Sequence, residues 1–140
     1  PAYLAKHGIP STPQQLVDHQ CIVIRENTQT YNNWQLRNAS QQIMVKVDGR
    51  LSTNHGEIAV DWALTGHGIV LRSEWDVAAY LRDGKLCRIL VPWVGEIADI
   101  HAIYPQRHYV PAKTRAFLDF LSERFADYRQ PADDDNASGW

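Results

Sequence analysis

Residues 52–71 read STNHGEIAVDWALTGHGIVL, and this stretch decides the fold class. Asn54 and Glu57 have the spacing of a capping box, which predicts the start of a helix. Glycines end the helical pattern, and the apolar run at 69–71 predicts a strand directly afterwards. A helix followed at once by a strand is typical of parallel sheets, because parallel neighbours need crossover connections.

The same alternation continues on both sides of this stretch. Residues 75–81 predict a second helix and 86–91 a further strand, while 21–24 predict a central strand buried on both faces. A short amphipathic turn or helix is expected near 3–9, and a short helix with a proline at its first position near 12–18. The order of elements predicts an α/β fold with a mostly parallel sheet.

A β-hairpin is predicted before the central helix. Runs at 34–36 and 43–47 alternate apolar and polar side chains on either side of a polar loop. Asp48 and Gly49 then fit either a tight turn or a glycine bulge inside one long strand. We expect the bulge, because the apolar pattern ends at Leu51, too soon for a separate hairpin.

The last third of the chain changes character. Residues 99–104 alternate as a half-covered strand does, and Pro111 opens a long predicted helix. That helix has an apolar stripe that needs a surface to cover, formed by Phe117, Leu118, Phe120, Leu121 and Phe125. Exposed apolar surface of this kind favours association, so we expect the chain to self-associate. Residues 131–140 predict a flexible acidic tail.

Composition excludes several classes of protein. The 140 residues contain 14 Lys and Arg against 16 Asp and Glu, which leaves no excess positive charge for binding nucleic acid. The longest apolar run, 89–94, is far shorter than the ~20 residues of a membrane span. Cys21 and Cys87 both lie in apolar runs, which favours buried thiols, with a disulfide as the alternative. Because the first residue is a proline, we expect a processed chain or a fragment.

Motifs for catalysis are missing from the sequence. It contains no nucleophile elbow, P-loop, HExxH or dinucleotide-binding motif. Its 6 histidines are scattered singly, a pattern more typical of surface and capping positions than of a metal site. We therefore predict no catalytic residue, no metal and no cofactor, and a small α/β enzyme with an unrecognised site is the weakest interpretation.

The start of the central helix has a physical reason to bind a ligand. Free backbone N–H groups and the positive end of the helix dipole attract a carboxylate or another small anion. Ligands of open α/β sheets also lie beyond the carboxyl ends of strands. The residues concerned are Ser52, Thr53, Asn54, His55 and Gly56, with Ser73 and Glu74 at the same predicted edge. The alternatives, that these residues only cap the central helix and that Ser73 only caps the next one, stay open.

The order of motifs along the chain resembles the effector-binding region of LysR-type transcriptional regulators. The matching segments are PAYLAKHGIP (1–10), TPQQL (12–16), HQCI (19–22), GRLSTN (49–54), ALTGHGI (63–69), LRDGKL (81–86) and YPQRHYVPAKTRAFLDFL (104–121). Each segment alone is a weak signal, whereas the ordered series is specific and covers nearly the whole chain before Pro131.

The resemblance implies a fold similar to type 2 periplasmic binding proteins, in which two α/β subdomains enclose an effector cleft. Residues 1–95 correspond to the second effector-binding subdomain. Residues 96–130 correspond to the returning strand and the C-terminal helix that belong to the first subdomain, and 131–140 to the tail.

The resemblance also implies a role for the residues at the helix start. The effector in this family meets the helix that here begins near Asn54, so Thr53, Asn54 and His55 inherit that role by position, with Ser52 and Gly56 as neighbours. The family's usual proline after the strand that corresponds to 69–71 is replaced here by Arg72 and Ser73. Arg72 either pairs with an anionic effector or faces water.

The function implied by the resemblance is that of the ligand-sensing part of a cytoplasmic transcriptional regulator. Its expected partners are a small-molecule effector, for which an anion is the favoured chemistry, and further copies of itself, as a dimer or tetramer in the intact protein. DNA would be bound only through an N-terminal helix-turn-helix domain that does not precede Pro1, and no membrane is involved. The alternative is an extracytoplasmic solute-binding protein of the same architecture.

Overall fold

A computed structural model describes residues 1–26, 29–96, 103 and 111–125. The chain divides into two units, Pro1–Ala98 and Asp99–Trp140. In chain order the first unit contains α1 (Ala2–His7), a 3-10 helix (Pro13–Asp18), β1 (Cys21–Glu26), β2 (Gln29–Tyr31), β3 (Asn33–Arg37), β4 (Gln42–Lys46), β5 (Ser52–Thr53), α2 (Gly56–Leu64), β6 (Ile69–Val70) and α3 (Glu74–Arg82). The second unit contains α4 (Ala112–Phe125).

Strand β1 is the centre of the main sheet, as predicted. It pairs in parallel with β5, where Val23 faces Ser52, and in parallel with β6, where Cys21 faces Ile69. It pairs antiparallel with β2. Its first three side chains are almost fully enclosed, since Cys21, Ile22 and Val23 are 1%, 2% and 4% exposed, and Ile24 is half-buried. Among the described strands two of these three pairings are parallel, as predicted for a mostly parallel sheet, and the antiparallel one arises because the chain returns from β1 directly through β2.

Strands β3 and β4 form the predicted hairpin as a separate antiparallel sheet. The preferred interpretation of Gly49 as a bulge in one long strand is wrong, because β4 ends at Lys46 and β5 begins at Ser52 in the other sheet. The N–H of Cys21 donates to the Asp48 carbonyl oxygen at 3.0 Å. A Cβ atom at Gly49 would overlap the carbonyl oxygen of Cys21. The glycine is therefore needed for the close approach of this segment to β1.

The predicted strand at 86–91 is also wrong, since these residues form turns and irregular backbone. The N–H of Leu86 donates to the Tyr80 carbonyl oxygen near the end of α3 at 3.1 Å, and the Leu90 carbonyl oxygen accepts from the N–H of Trp93 at 2.7 Å. Backbone groups engaged in this way cannot extend a sheet. Cys87 lies in this segment and is exposed, so the prediction of a buried thiol is confirmed for Cys21 only.

The core of the first unit consists of two clusters on the faces of β1. The larger joins the short N-terminal helices to β1 and the hairpin, through Tyr3, Leu16, Cys21, Val23, Trp34, Leu36, Val45, Val47 and Ile69. The smaller packs α2 on the sheet through Ile22, Ala59 and Ala63. The small alanine side chains let α2 lie close to β1, which fixes the position of the helix start.

Helix α4 is present in the second unit, and none of its residues is buried. Phe117 and Phe120 in the predicted apolar stripe are 59% and 50% exposed. The predicted strand at 99–104 lies outside the described residues except for Ile103, and the predicted tail at 131–140 lies outside them entirely. None of the helices in the described ranges is long and apolar enough to cross a membrane.

Candidate functional site

The candidate site is built where β5 leaves the sheet and α2 begins. β5 ends at Thr53, which pairs with Ile24 in the second half of β1. The candidate site lies just beyond this last paired residue of β5. Thr53 is 7% exposed, and its hydroxyl oxygen accepts a hydrogen bond from the N–H of His55 at 3.0 Å. This bond from the buried Thr53 holds the backbone between β5 and α2 in place. It leaves Asn54 and His55 exposed at the edge of the sheet.

The predicted capping box between Asn54 and Glu57 is not formed. The N-cap residue is His55, and no side chain makes a capping hydrogen bond at this end of α2. The first N–H groups of a helix have no partner within the helix, so the start of α2 keeps donors that its own side chains do not use. The alternative that residues 52–56 only cap the helix predicts a side-chain capping hydrogen bond, and that bond is not formed. Glu57 lies in the first turn of α2, where a carboxylate complements the helix dipole.

Arg72 lies beside the start of α2, although it comes 16 positions after Gly56 along the chain. A Cβ atom at Gly56 would lie 2.5 Å from Nη2, 2.7 Å from Cζ and 2.8 Å from Nη1 of Arg72. The guanidinium therefore fills the space in which any other residue at position 56 would carry its side chain. The structure thus brings together two of the predicted site residues.

Asp76 holds Arg72 in this place. Its Oδ2 atom accepts a hydrogen bond from Nε of Arg72 at 2.7 Å and a second from Nη2. The two side chains are 24% and 23% exposed, so the pair is partly withdrawn from water. Asp76 is a residue of this cluster that the sequence analysis missed. Arg72 precedes the N-cap of α3, so the helical rule for residues four apart did not identify this pair from the sequence.

Ser73 is confirmed as the N-cap residue of α3, but its side chain makes no capping hydrogen bond. Glu74, the first residue of α3, forms an ion pair with Arg88. The Glu74 and Arg88 side chains are about half exposed, at 49% and 50%. Ser52, Gly56, Arg72 and Ser73 are each half-buried, and of these four the structure places Gly56 and Arg72 side by side.

A separate surface concavity lies at the other end of β1. Its volume is 320 Å³, and it is lined by residues 17–20 and 48–50. It contains none of the predicted site residues. These lining residues precede β1 and β5, so the concavity lies at the amino edge of the strands, opposite the edge at which α/β sheets bind ligands.

Other chemistry in the described part of the chain is limited. No group of three or more His, Cys, Asp or Glu side chains there is arranged to hold a metal ion. Burial, together with the nearby Asp48 carboxylate, raises the pKa of the Cys21 thiol to about 12. Such a thiol is unreactive at neutral pH, because the thiolate is the nucleophile.

A polar edge beyond the carboxyl ends of parallel strands is the arrangement found in ligand-binding α/β domains. The family model described as "LysR substrate binding domain" matches residues 1–126, and the chain belongs to this family. The predicted α/β fold, similar to type 2 periplasmic binding proteins, is confirmed by this match and by the structural similarities.

The chain is similar to named transcriptional regulators of Escherichia coli K12. It is 43% identical over 122 residues to the HTH-type transcriptional activator TtdR, covering 87% of this chain and 39% of that protein. It is 40% identical over 128 residues to the HTH-type transcriptional regulator DmlR, covering 91% of this chain and 41% of that protein. The chain therefore spans about two fifths of the length of these relatives.

Solved structures give the same result. The regulatory domain of AphB from Vibrio vulnificus has a TM-score of 0.73 at 26% identity, covering 89% of this chain and 61% of that one. The regulatory domain of CrgA, a LysR-type transcriptional regulator from Neisseria meningitidis, has a TM-score of 0.68 at 32% identity. The match covers 88% of this chain and 60% of that one. The family thus supports a regulatory role and does not favour the solute-binding alternative.

Proposed function

We propose that this chain is the effector-sensing part of a cytoplasmic LysR-type transcriptional regulator and performs no catalysis. The proposed effector is a small anion that binds at the edge formed by Ser52, Thr53, Asn54, His55, Gly56, Arg72 and Ser73. The observation that carries the proposal is the uncapped start of α2, which offers unused N–H donors beside the guanidinium of Arg72.

The proposed mechanism is a shift between two arrangements of the intact regulator. An effector that binds one arrangement of the two subdomains more tightly increases the population of that arrangement. In the intact protein, a dimer or tetramer, this changes the spacing of helix-turn-helix domains contributed by a segment outside this chain. Phe117 and Phe120 in the apolar stripe of α4 are exposed, which is consistent with self-association.

A blocking substitution tests the site without assuming what the effector is. Asn54 is exposed beside the start of α2, so Asn54→Trp fills the edge with a large side chain. Gln41→Trp, in the exposed loop of the β3 and β4 hairpin, is the matched control. In thermal-shift measurements, the full-length polypeptide is mixed with small organic acids and neutral metabolites. Some of these compounds should stabilise both the unsubstituted protein and Gln41→Trp.

The same compounds should lose their effect with Asn54→Trp. Stabilisation that is equal in both variants would contradict the proposed site. A complete lack of stabilising compounds with the unsubstituted protein would contradict the sensing function itself.

A further inference from the structure

Helix α4 carries an exposed stripe that is apolar in the middle and basic at both ends. Four residues share this side of the helix, at spacings of four, three and four positions: Lys113, Phe117, Phe120 and Arg124. Phe117 and Phe120 are 59% and 50% exposed. The Cζ atom of Arg124 lies 5.5 Å from the centre of the Phe120 ring, so a positive charge stands over the apolar part of the stripe.

The acidic residues of α4 lie on another side of the helix. Asp119 and Glu123 are rotated by roughly 90–130° from the middle of the stripe, since each residue of a helix advances by about 100°. The stripe therefore has a cation at each end and no anion along it. A second copy of α4 would bring the same cations to this surface, so its charges do not match the stripe. The matching occupant combines an aromatic side chain with carboxylates.

Residues 131–140 of the same chain, the tail, have this composition. They read PADDDNASGW, with three consecutive aspartates, Asp133–Asp135, one aromatic residue, Trp140, and neither lysine nor arginine. They lie outside the described part of the chain. Their carboxylates match the basic ends of the stripe, and an indole ring packs favourably on phenylalanine rings and against a cation.

The length of the tail fits a return along α4. From Arg124 back to Phe117 is seven residues of helix, about 10 Å at 1.5 Å per residue. From Asp135 to Trp140 is five residues, which span up to about 17 Å when extended. The seven residues 126–132 are enough to reverse the direction of the chain before Asp133. The aspartates therefore reach Arg124 while Trp140 reaches Phe117.

Attachment to the same chain favours the tail over a second copy as the occupant. A short linker holds the two segments that it joins at an effective concentration in the millimolar range, whereas a second copy in a micromolar solution is roughly a thousandfold more dilute. A contact that is weak between separate molecules is therefore formed within one chain.

We infer that the tail docks on the exposed stripe of α4 in its own chain and weakens self-association through that surface. Trp140 covers Phe117 and Phe120, and the aspartates pair with Arg124. A docked tail occupies the apolar surface that a second copy would otherwise contact. This inference goes beyond the proposed function and does not depend on the site at the start of α2.

A labelled peptide tests the docking directly. The probe is the peptide PADDDNASGW with fluorescein at its amino end, and its anisotropy is followed as polypeptide is added, either full-length or with residues 131–140 deleted. The deleted form should bind the peptide about tenfold more tightly, because in the full-length form the tail competes at millimolar effective concentration. Sedimentation velocity should also show stronger self-association of the deleted form.

Matched substitutions locate the contact on α4. In the form without the tail, Phe120→Glu should remove peptide binding, because it places a carboxylate in the stripe opposite the aspartates. Ser122→Glu is the control, since it adds the same charge at an exposed position on the other side of the helix, and it should leave peptide binding unchanged. A peptide with Asp133→Asn, Asp134→Asn and Asp135→Asn should bind more weakly, and high salt should reduce this difference. Circular dichroism checks that each variant is folded.

Four results would overturn the inference. Equal peptide affinity of the full-length and deleted forms would show that the tail does not occupy the stripe. Equal affinity of the Phe120→Glu and Ser122→Glu variants would place the contact elsewhere. Self-association that is unchanged by deletion of the tail would make a second copy the occupant. A deleted form that binds no peptide would leave the stripe to another part of the polypeptide.

Discussion

Two glycines in this chain face the same substitution with different consequences. A Cβ atom at Gly49 would overlap the carbonyl oxygen of Cys21 and would lie 2.8 Å from its carbonyl carbon. These are backbone atoms of the central strand, which cannot move without disturbing the sheet. A Cβ atom at Gly56 meets only the far end of the Arg72 side chain, which can rotate away. Alanine at 49 should therefore destabilise the fold, whereas alanine at 56 should not.

The magnitude for Gly49→Ala follows from the hydrogen bonds along this approach. To admit the methyl group, residues 48–51 must move away from β1. That movement weakens the bond from the N–H of Cys21 to Asp48, at 3.0 Å, and the bond from the N–H of Val23 to Leu51, at 3.1 Å. At roughly 1 kcal/mol for each bond, we expect the free energy of unfolding to fall by about 2 kcal/mol.

For Gly56→Ala the expected change is close to zero. The Arg72–Asp76 pair is an i,i+4 pair, and its loss costs about 0.3–0.5 kcal/mol. Alanine in place of glycine in a helix returns roughly 0.5–1 kcal/mol. Ligand binding at the start of α2 should nevertheless be lost, because the guanidinium is displaced.

Urea unfolding, followed by tryptophan fluorescence to which the buried Trp34 contributes, measures both variants in one assay. We expect a clearly lower midpoint for Gly49→Ala and an unchanged or slightly higher midpoint for Gly56→Ala. Equal midpoints for the two variants, or a lower midpoint for Gly56→Ala, would refute the reasoning that the Arg72 side chain can move aside whereas the Cys21 backbone cannot.

Three further outcomes are expected from other parts of the molecule. Iodoacetamide at pH 8 should label Cys87 but not Cys21 in the folded chain, and labelling of both thiols, detected by mass spectrometry, would contradict this. The free energy of unfolding should fall as the pH rises above about 9, because the Cys21 thiol, with its pKa raised to about 12, ionises first in the unfolded state. Tyr3→Phe should cost roughly 1–3 kcal/mol in urea unfolding, because it removes the oxygen that accepts the N–H of Gln20 at 2.8 Å; an unchanged midpoint would show that water replaces it. Light scattering should detect self-association that Phe120→Glu weakens, and a monomer at working concentration would exclude it.

The sequence predicted the elements that depend on local pattern. The central strand, the hairpin, α2 and α3 all follow from periodicity and from glycines near their ends. The strand predicted at 86–91 failed because an apolar run shows that side chains are buried, not how the backbone is bonded. There, Leu86 bonds back to α3, while Ile89 and Leu90 still pack against the core. Periodicity alone does not separate these two cases.

The candidate site shows where prediction from sequence stops for a stronger reason. Its residues were chosen because they follow two predicted strands, and the carboxyl ends of parallel strands meet at one edge. The contact between Gly56 and the guanidinium of Arg72 depends on how closely α2 and the start of α3 approach, which the small side chains of Ala59 and Ala63 determine through packing on β1. A glycine at a helix start is ordinarily only a weak cap. It becomes informative once the structure shows that the guanidinium of Arg72 fills the volume of the missing side chain. The proposed binding of an anion at this edge is therefore better tested at Arg72 than at the loop that precedes α2.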